Sequence, residues 1–167
     1  MKIVSICAGK LTLAVLLAGY FLAAAAIPAR AGLGDDATSI ESDAAAMQGT
    51  LSQAAPTAAA QPSASYRVKT FVTGNGTTVR EYAAQSGTIF GVAWRGRRPP
   101  DLSRLFGSYY SEYSTAAANK RHSNLHHQVT VSPHMVVAMH GHMGHLVGRA
   151  YVPGLAPSDV DPKAVVQ

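Results

Sequence analysis

Cysteine is nearly absent from this sequence, and its scarcity excludes several kinds of site. The only cysteine, Cys7, precedes the apolar run of residues 11–27, whereas a lipid-acceptor cysteine would follow such a run. If residues 1–31 are removed as a signal, the mature chain has no disulfide, no cysteine-based metal site and no thiol nucleophile. An exported domain without disulfides is held together by its core alone.

Sequence motifs typical of enzymes are missing as well. The sequence shows no pair of carboxylates with the spacing of a glycoside hydrolase, no Gly-x-Ser-x-Gly elbow and no phosphate-cradling loop. Combinations of Ser, His and Asp can be drawn in any chain of this composition. We therefore predict a binding or scaffolding protein without enzymatic activity, and we keep a hydrolase or lyase acting on envelope polymers as an alternative.

The first thirty-one residues have the three parts of a secretory signal. Lys2 and Lys10 make the start positive, residues 11–27 are apolar, and residues 29–31 (Ala-Arg-Ala) give the small-x-small pattern of a cleavage site. We predict cleavage after Ala31, with an uncleaved anchor as the alternative. The predicted location is the periplasm, the outer envelope or the exterior of a Gram-negative bacterium, with no stable membrane span in the mature protein.

Charge is distributed unevenly behind this signal. Residues 32–65 hold four acidic residues and no basic one in a stretch rich in Ala, Ser, Gln, Thr and Pro, which predicts a disordered linker. Residues 66–155 hold ten Lys or Arg against three acidic residues, a net charge of +7. This charge predicts a folded domain that approaches anionic envelope polymers or another envelope protein. Nucleic acid is not an expected partner, because no recognition motif is present.

Strand patterns begin at Tyr66, where apolar and polar residues start to alternate. Five segments have the composition of strands: 66–72, 77–82, 88–94, 128–137 and 144–152. The first three are joined by short turns, which predicts an antiparallel meander. Pro133 interrupts the fourth segment and favours an edge position for it. Residues 156–167 are predicted to form a flexible tail.

A single helix is predicted between the meander and the last strands. Asp101 follows two prolines and is the expected N-cap of a helix over 102–117. Six apolar or aromatic residues follow it at helical spacing: Leu102, Leu105, Phe106, Tyr109, Tyr110 and Tyr113. We expect this stripe, like Trp94, to be core rather than a sugar-binding platform. The predicted fold is α+β: a small antiparallel sheet, made of a three-strand meander plus C-terminal strands, packed by one amphipathic helix within residues 66–155.

Three stretches of the chain carry a resemblance to a known family. They read "GTTVREYAAQSGTIFGVAWRG", "PDLSRLFGSYYSEY" and "GHMGHLVGRAYVPGLAPSDV". With these stretches the chain resembles the exported proteobacterial family known as domain of unknown function 2844, over roughly residues 66–161. The resemblance implies export and a shared fold, with no assigned activity, substrate or cofactor. Arg97, Arg98 and His145 depart from the residues expected in that family, so any function that depends on them is particular to this chain.

A histidine- and methionine-rich segment offers the clearest candidate chemistry. In an extended strand over 134–143, His140 and His142 share one face, and two imidazoles from one strand suit zinc or copper. The candidates for a third ligand are His126, His127 and His145, and Met139 or Met143 suits copper(I). The predicted metal site comprises His140, His142 and His145. The alternative is a histidine-rich surface loop, because two glycines near these residues indicate a turn that separates the imidazoles.

A basic cluster near the predicted helix start is the second candidate site. It comprises Arg95, Arg97, Arg98 and Arg104. Guanidinium groups suit phosphate or carboxylate ligands because they form paired hydrogen bonds with them. Two prolines, at 99 and 100, stiffen the loop that carries the cluster. The cluster therefore predicts an anion-binding site, with an ordinary solvated loop as the alternative.

Overall fold

The computed structural model describes residues 32–52, 65–119 and 127–167. In chain order these residues form helix α1 (Ile40–Ala46), strands β1 (Thr50–Ser52), β2 (Tyr66–Val72), β3 (Thr78–Ala84) and β4 (Ile89–Gly96), helices α2 (Leu102–Leu105) and α3 (Tyr110–Ala118), strands β5 (His127–Val131), β6 (Val136–His142) and β7 (His145–Tyr151), and helix α4 (Pro162–Val165). The seven strands form one sheet in the order β1-β2-β3-β4-β7-β6-β5, with every neighbouring pair antiparallel. The predicted α+β class is confirmed.

Strands β2, β3 and β4 form the predicted meander. In their register Val79 on β3 lies opposite Phe71 on β2 and Trp94 on β4, so these three apolar side chains share one face of the sheet. Because side chains alternate between the faces of a strand, the same alternation places Tyr82 on the other face. The two faces are called here the helical face, which carries Val79, and the opposite face, which carries Tyr82.

The fourth predicted strand is in fact parts of two strands. Residues 128–131 belong to β5, Pro133 lies in the turn that follows, and β6 starts at Val136. A proline has no backbone N–H for the sheet, so the chain reverses there rather than continuing. The predicted edge position is confirmed for β5, whereas β6 pairs with a strand on each side.

The predicted single helix over 102–117 is broken into two helices. Asp101 is the N-cap as predicted, since its side chain accepts hydrogen bonds from the N–H groups of Ser103 and Arg104. The break follows at Gly107, whose φ of +50° lies outside the helical region. Gly32 packs against this point so closely that a Cβ atom on Gly32 would lie 2.7 Å from the Gly107 nitrogen. Close approach of the N-terminal segment is the physical reason for the break.

The helical face of the sheet carries the larger core cluster. Its fully or almost fully buried members include Phe71, Val79, Val92, Trp94, Leu105, Phe106, Met135 and Val137. The Phe106 ring packs edge-on against the Tyr113 ring, with centroids 5.0 Å apart. The interpretation of the aromatic stripe and Trp94 as core is therefore confirmed, although Tyr110 remains 39 % exposed.

The disordered linker predicted over 32–65 is wrong for residues 32–52. Leu33 and Ile40 are fully buried in the main core cluster, and Ala44 on α1 is buried beside them. The N–H of Leu33 donates to the carbonyl of Leu105, and β1 pairs with β2. The segment has too few apolar residues to form a core by itself, but it is ordered because those residues pack into the core on the helical face of the sheet.

The flexible tail predicted over 156–167 is wrong as well. Val166 is fully buried against the opposite face of the sheet, in a cluster with Tyr82, Phe90 and Tyr151. Two arginines of the sheet hold the segment by its backbone: Arg149 donates to the carbonyls of residues 163 and 166, and Arg80 donates to that of residue 167. The segment thus covers part of the opposite face.

The predicted signal over 1–31 and the part of the predicted linker over 53–64 lie outside the described residues. Residues 120–126, which include the candidate ligand His126, lie outside them too. Within the described ranges, no helix combines the length and the apolar character that crossing a membrane requires.

Candidate binding surface at one end of the sheet

The two candidate sites of the sequence meet at one end of the sheet. The end of β4 pairs with the start of β7, so that Arg95 lies opposite Val147. Val147 in turn lies opposite His140 on β6, and His140 lies opposite His127 on β5. This end of the sheet, defined by Arg95, Arg97, Arg98, His142 and His145, is called here the arginine–histidine end.

An open depression lies at the arginine–histidine end. It has a volume of about 670 Å³ and is lined by Asn75 from the β2–β3 turn, Arg97 and Arg98 after β4, and Met143 and Gly144 from the β6–β7 turn. Three turns of the sheet therefore contribute to one surface. Among the described residues no acidic side chain lines it, so the arginine charges are not neutralised there.

A smaller hollow of about 160 Å³ adjoins the opposite face. Arg80, Arg95, Val147 and Gln167 are among the residues that line it. The Arg80 guanidinium is already engaged with the Gln167 carbonyl oxygen at 3.2 Å. Arg95 is exposed, and its guanidinium has no hydrogen-bond or ion-pair partner in the described part of the chain, so it is available to a ligand.

The segment that carries the arginines is fixed to the sheet. The hydroxyl of Thr77, a fully buried residue, donates to the carbonyl of Arg98 at 2.8 Å. Pro100 is buried as well. Arg97 and Arg98 are exposed and, within the described ranges, neither is held by an acidic side chain. A fixed backbone with free guanidinium groups suits anion binding, because less conformational entropy is lost when a ligand is bound.

The fourth predicted arginine, Arg104, takes a different position. It lies on α2, where its Nη1 atom is 3.9 Å from Oδ1 of Asp43, a fully buried residue of α1. Arg104 lines neither the depression nor the hollow. The structure therefore places Arg97 and Arg98 at the depression, Arg95 at the separate hollow, and Arg104 with the carboxylate of α1.

The histidines form two cross-strand pairs rather than one cluster. His142 lies opposite His145 at the β6–β7 turn, and their ring centroids are 6.0 Å apart. His140 lies opposite His127 on β5. Of the predicted trio the structure thus pairs His142 with His145, and among the described residues no group of three His, Cys, Asp or Glu side chains is placed to hold one metal ion.

His134, from the same segment, belongs elsewhere. Its Nδ1 atom lies 3.0 Å from Oε2 of Glu112 on α3, and its backbone N–H donates to Oε1 of the same carboxylate. These hydrogen bonds, the backbone one first, lower the pKa of Glu112 below its usual range. His134 therefore joins the β5–β6 turn to α3.

Glu81 is a buried acid that the sequence analysis missed. It points to the helical face, is 1 % exposed, and its Oε2 atom has no hydrogen-bond partner in the described residues. Burial first, and the Asp43 carboxylate second, raise the pKa of Glu81 to about 8 against the opposing effect of the Lys69 ammonium on the neighbouring strand β2. A neutral carboxylic acid inside the core is the result at neutral pH.

The fold and this surface define a class: a small α+β domain built on one antiparallel sheet, with a basic, histidine-bearing end. Residues 29–165 match the model of a family described as protein of unknown function (DUF2844). The chain belongs to that family, as the resemblance in its sequence implied. No curated protein and no solved structure matches the chain significantly.

Proposed function

We propose that the protein is an exported binding module that holds an anionic envelope polymer at the arginine–histidine end of its sheet. The observation that carries the proposal is the open depression lined by two exposed arginines, Arg97 and Arg98, and no described acidic side chain. Carboxylate and phosphate groups are the ligands that guanidinium forks bind in pairs.

Two further features support this function. Residues 66–155 carry a net charge of +7, which steers the domain towards anionic surfaces before contact. The predicted signal over 1–31 supports delivery of the domain to the envelope, where such polymers are found. The folded N-terminal segment also keeps Asp35, Asp36, Glu41 and Asp43 away from the depression, because none of them lines it.

A polymer-binding assay with charge-reversed variants tests the proposal. Fluorescent alginate, a carboxylate polymer, is titrated with the protein at several salt concentrations, and neutral dextran serves as the ligand control. The double variant Arg97→Glu/Arg98→Glu is expected to bind alginate roughly tenfold or more weakly, since two charged contacts of about 1 kcal/mol each are lost. Its affinity should also depend less on salt.

A matched control variant distinguishes binding at the depression from general attraction by the net charge of the protein. The variant Arg67→Glu/Lys163→Glu changes the net charge equally at two exposed positions that do not line the depression. It should retain most of the binding. Equal losses in both variants, or no binding by the wild type, would contradict the proposal. Cell fractionation tests export separately: a protein confined to the cytoplasm contradicts that part.

A further inference from the structure

Two histidines close the β6–β7 hairpin on either side of a two-residue turn. His142 and His145 are directly opposite each other in the register, with Met143 and Gly144 between them. Their ring centroids lie 6.0 Å apart and their planes are inclined by 32°. Two imidazoles that bind one metal with nitrogen–metal bonds of about 2.0–2.1 Å have centroids roughly 5–6 Å apart, so the spacing of this pair is compatible with chelation.

The hydrogen bond of His142 prepares one ring nitrogen for a metal. Its Nδ1 atom lies 3.2 Å from the carbonyl oxygen of Met143. A carbonyl oxygen can only accept, so Nδ1 carries the hydrogen and Nε2 of the neutral ring presents its lone pair. Histidine ligands in metal sites commonly have this arrangement, in which a backbone carbonyl fixes the ring and the other nitrogen binds.

The hairpin also offers access and a fixed backbone. His142, Met143 and His145 are all exposed, and Met143 is 97 % exposed. Gly144 has a φ of +87°, which allows the tight turn that sets the two histidines opposite each other. A cation can therefore reach both imidazoles from solvent without rearrangement of the strands.

We propose that His142 and His145 chelate a divalent late transition metal, copper(II) above all. Imidazole suits copper, nickel and zinc, and copper(II) has the highest affinity of the three for nitrogen ligands. Water or an anion completes the coordination, because among the described residues no third His, Cys, Asp or Glu joins the pair. The site is thus open and exchangeable. Arg97 and Arg98 nearby disfavour a bare cation but favour an anion as the additional ligand.

Calorimetric titration of the untagged full-length chain with copper(II) tests the proposal, in a Cys7→Ser background so that the lone thiol contributes nothing. We expect one copper(II) per chain at pH 7.5. His142→Ala and His145→Ala should each weaken binding at least tenfold. The electron paramagnetic resonance spectrum of the wild-type complex should show two nitrogen ligands.

His127→Ala is the matched control, since it removes an exposed cross-strand histidine from the other pair. It should bind copper(II) like the wild type. Wild-type affinity in His142→Ala or His145→Ala, or a loss confined to His127→Ala, would overturn the assignment. These variants leave all three arginines in place, so the alginate titration without metal distinguishes failure of the metal site from failure of the proposed function.

Discussion

Replacing Glu81 by Gln should remove a pH dependence from the stability of this domain. Glu81 is almost fully buried, and its pKa is raised to about 8 by burial first and by Asp43 second, while Lys69 opposes the rise. In the unfolded chain the same side chain titrates near its ordinary value of 4.5. Between these two values the folded state holds a proton that the unfolded state has lost.

The sign and the size of the effect follow from that difference in bound protons. The stabilising contribution of the neutral Glu81 is complete below pH 4.5 and is lost as the pH rises through about 8. The free energy of unfolding should fall by about 1.4 kcal/mol per pH unit in that interval, or about 5 kcal/mol in total. The Gln variant keeps a neutral side chain of similar shape and does not titrate.

The assay is urea unfolding of the wild type and Glu81→Gln at pH values from 4 to 9, since titration of all other groups cancels in the difference. The two proteins should be close in stability at pH 4, and the variant should be more stable by several kcal/mol at pH 8. Glu112→Gln is the control, because the pKa of the half-buried Glu112 is lowered and its effect is confined to acidic pH. A stability difference between wild type and Glu81→Gln that does not change with pH would refute the reasoning.

Two packing predictions concern the two faces of the sheet. Phe106→Ala should lower the free energy of unfolding, measured by chemical denaturation, by about 3–5 kcal/mol, because the ring is fully buried between Trp94 and Tyr113. Tyr110→Ala, at an exposed ring, should lower it by about 1 kcal/mol or less. Val166→Asp should release the C-terminal segment from the opposite face, which should be seen as faster trypsin cleavage after Lys163. Ser158→Asp, at an exposed position away from the cleaved bond, should leave the cleavage rate unchanged, and equal rates in both variants would contradict this prediction.

The strands of the meander could be predicted from the sequence because alternation and turn residues act locally. The same alternation could have predicted the burial of Glu81. This residue stands two positions from both Val79 and Ala83, so all three share the helical face. Burial of Glu81 depends on α1, which packs on this face from a segment whose composition predicted disorder.

The errors in the N- and C-terminal segments have a common physical origin. Composition counts the apolar residues within a segment, but it does not reveal an apolar surface elsewhere on which they pack. Leu33, Ile40 and Val166 are few and widely spaced, yet each is fully buried on one face of the sheet. The pairing of His142 with His145 was likewise hidden, because it depends on where the β6–β7 turn falls.

Strand β5 has a consequence for the behaviour of the protein in concentrated solution. It is an edge of the sheet, it carries no Lys, Arg, Asp or Glu, and its Val129 and Val131 are 40 % and 66 % exposed. Natural sheets usually protect such edges with charge, proline or a bulge, since unpaired backbone groups beside apolar side chains recruit strands of other molecules. Strand β5 is therefore an edge at which self-association and fibril growth would begin in concentrated solution.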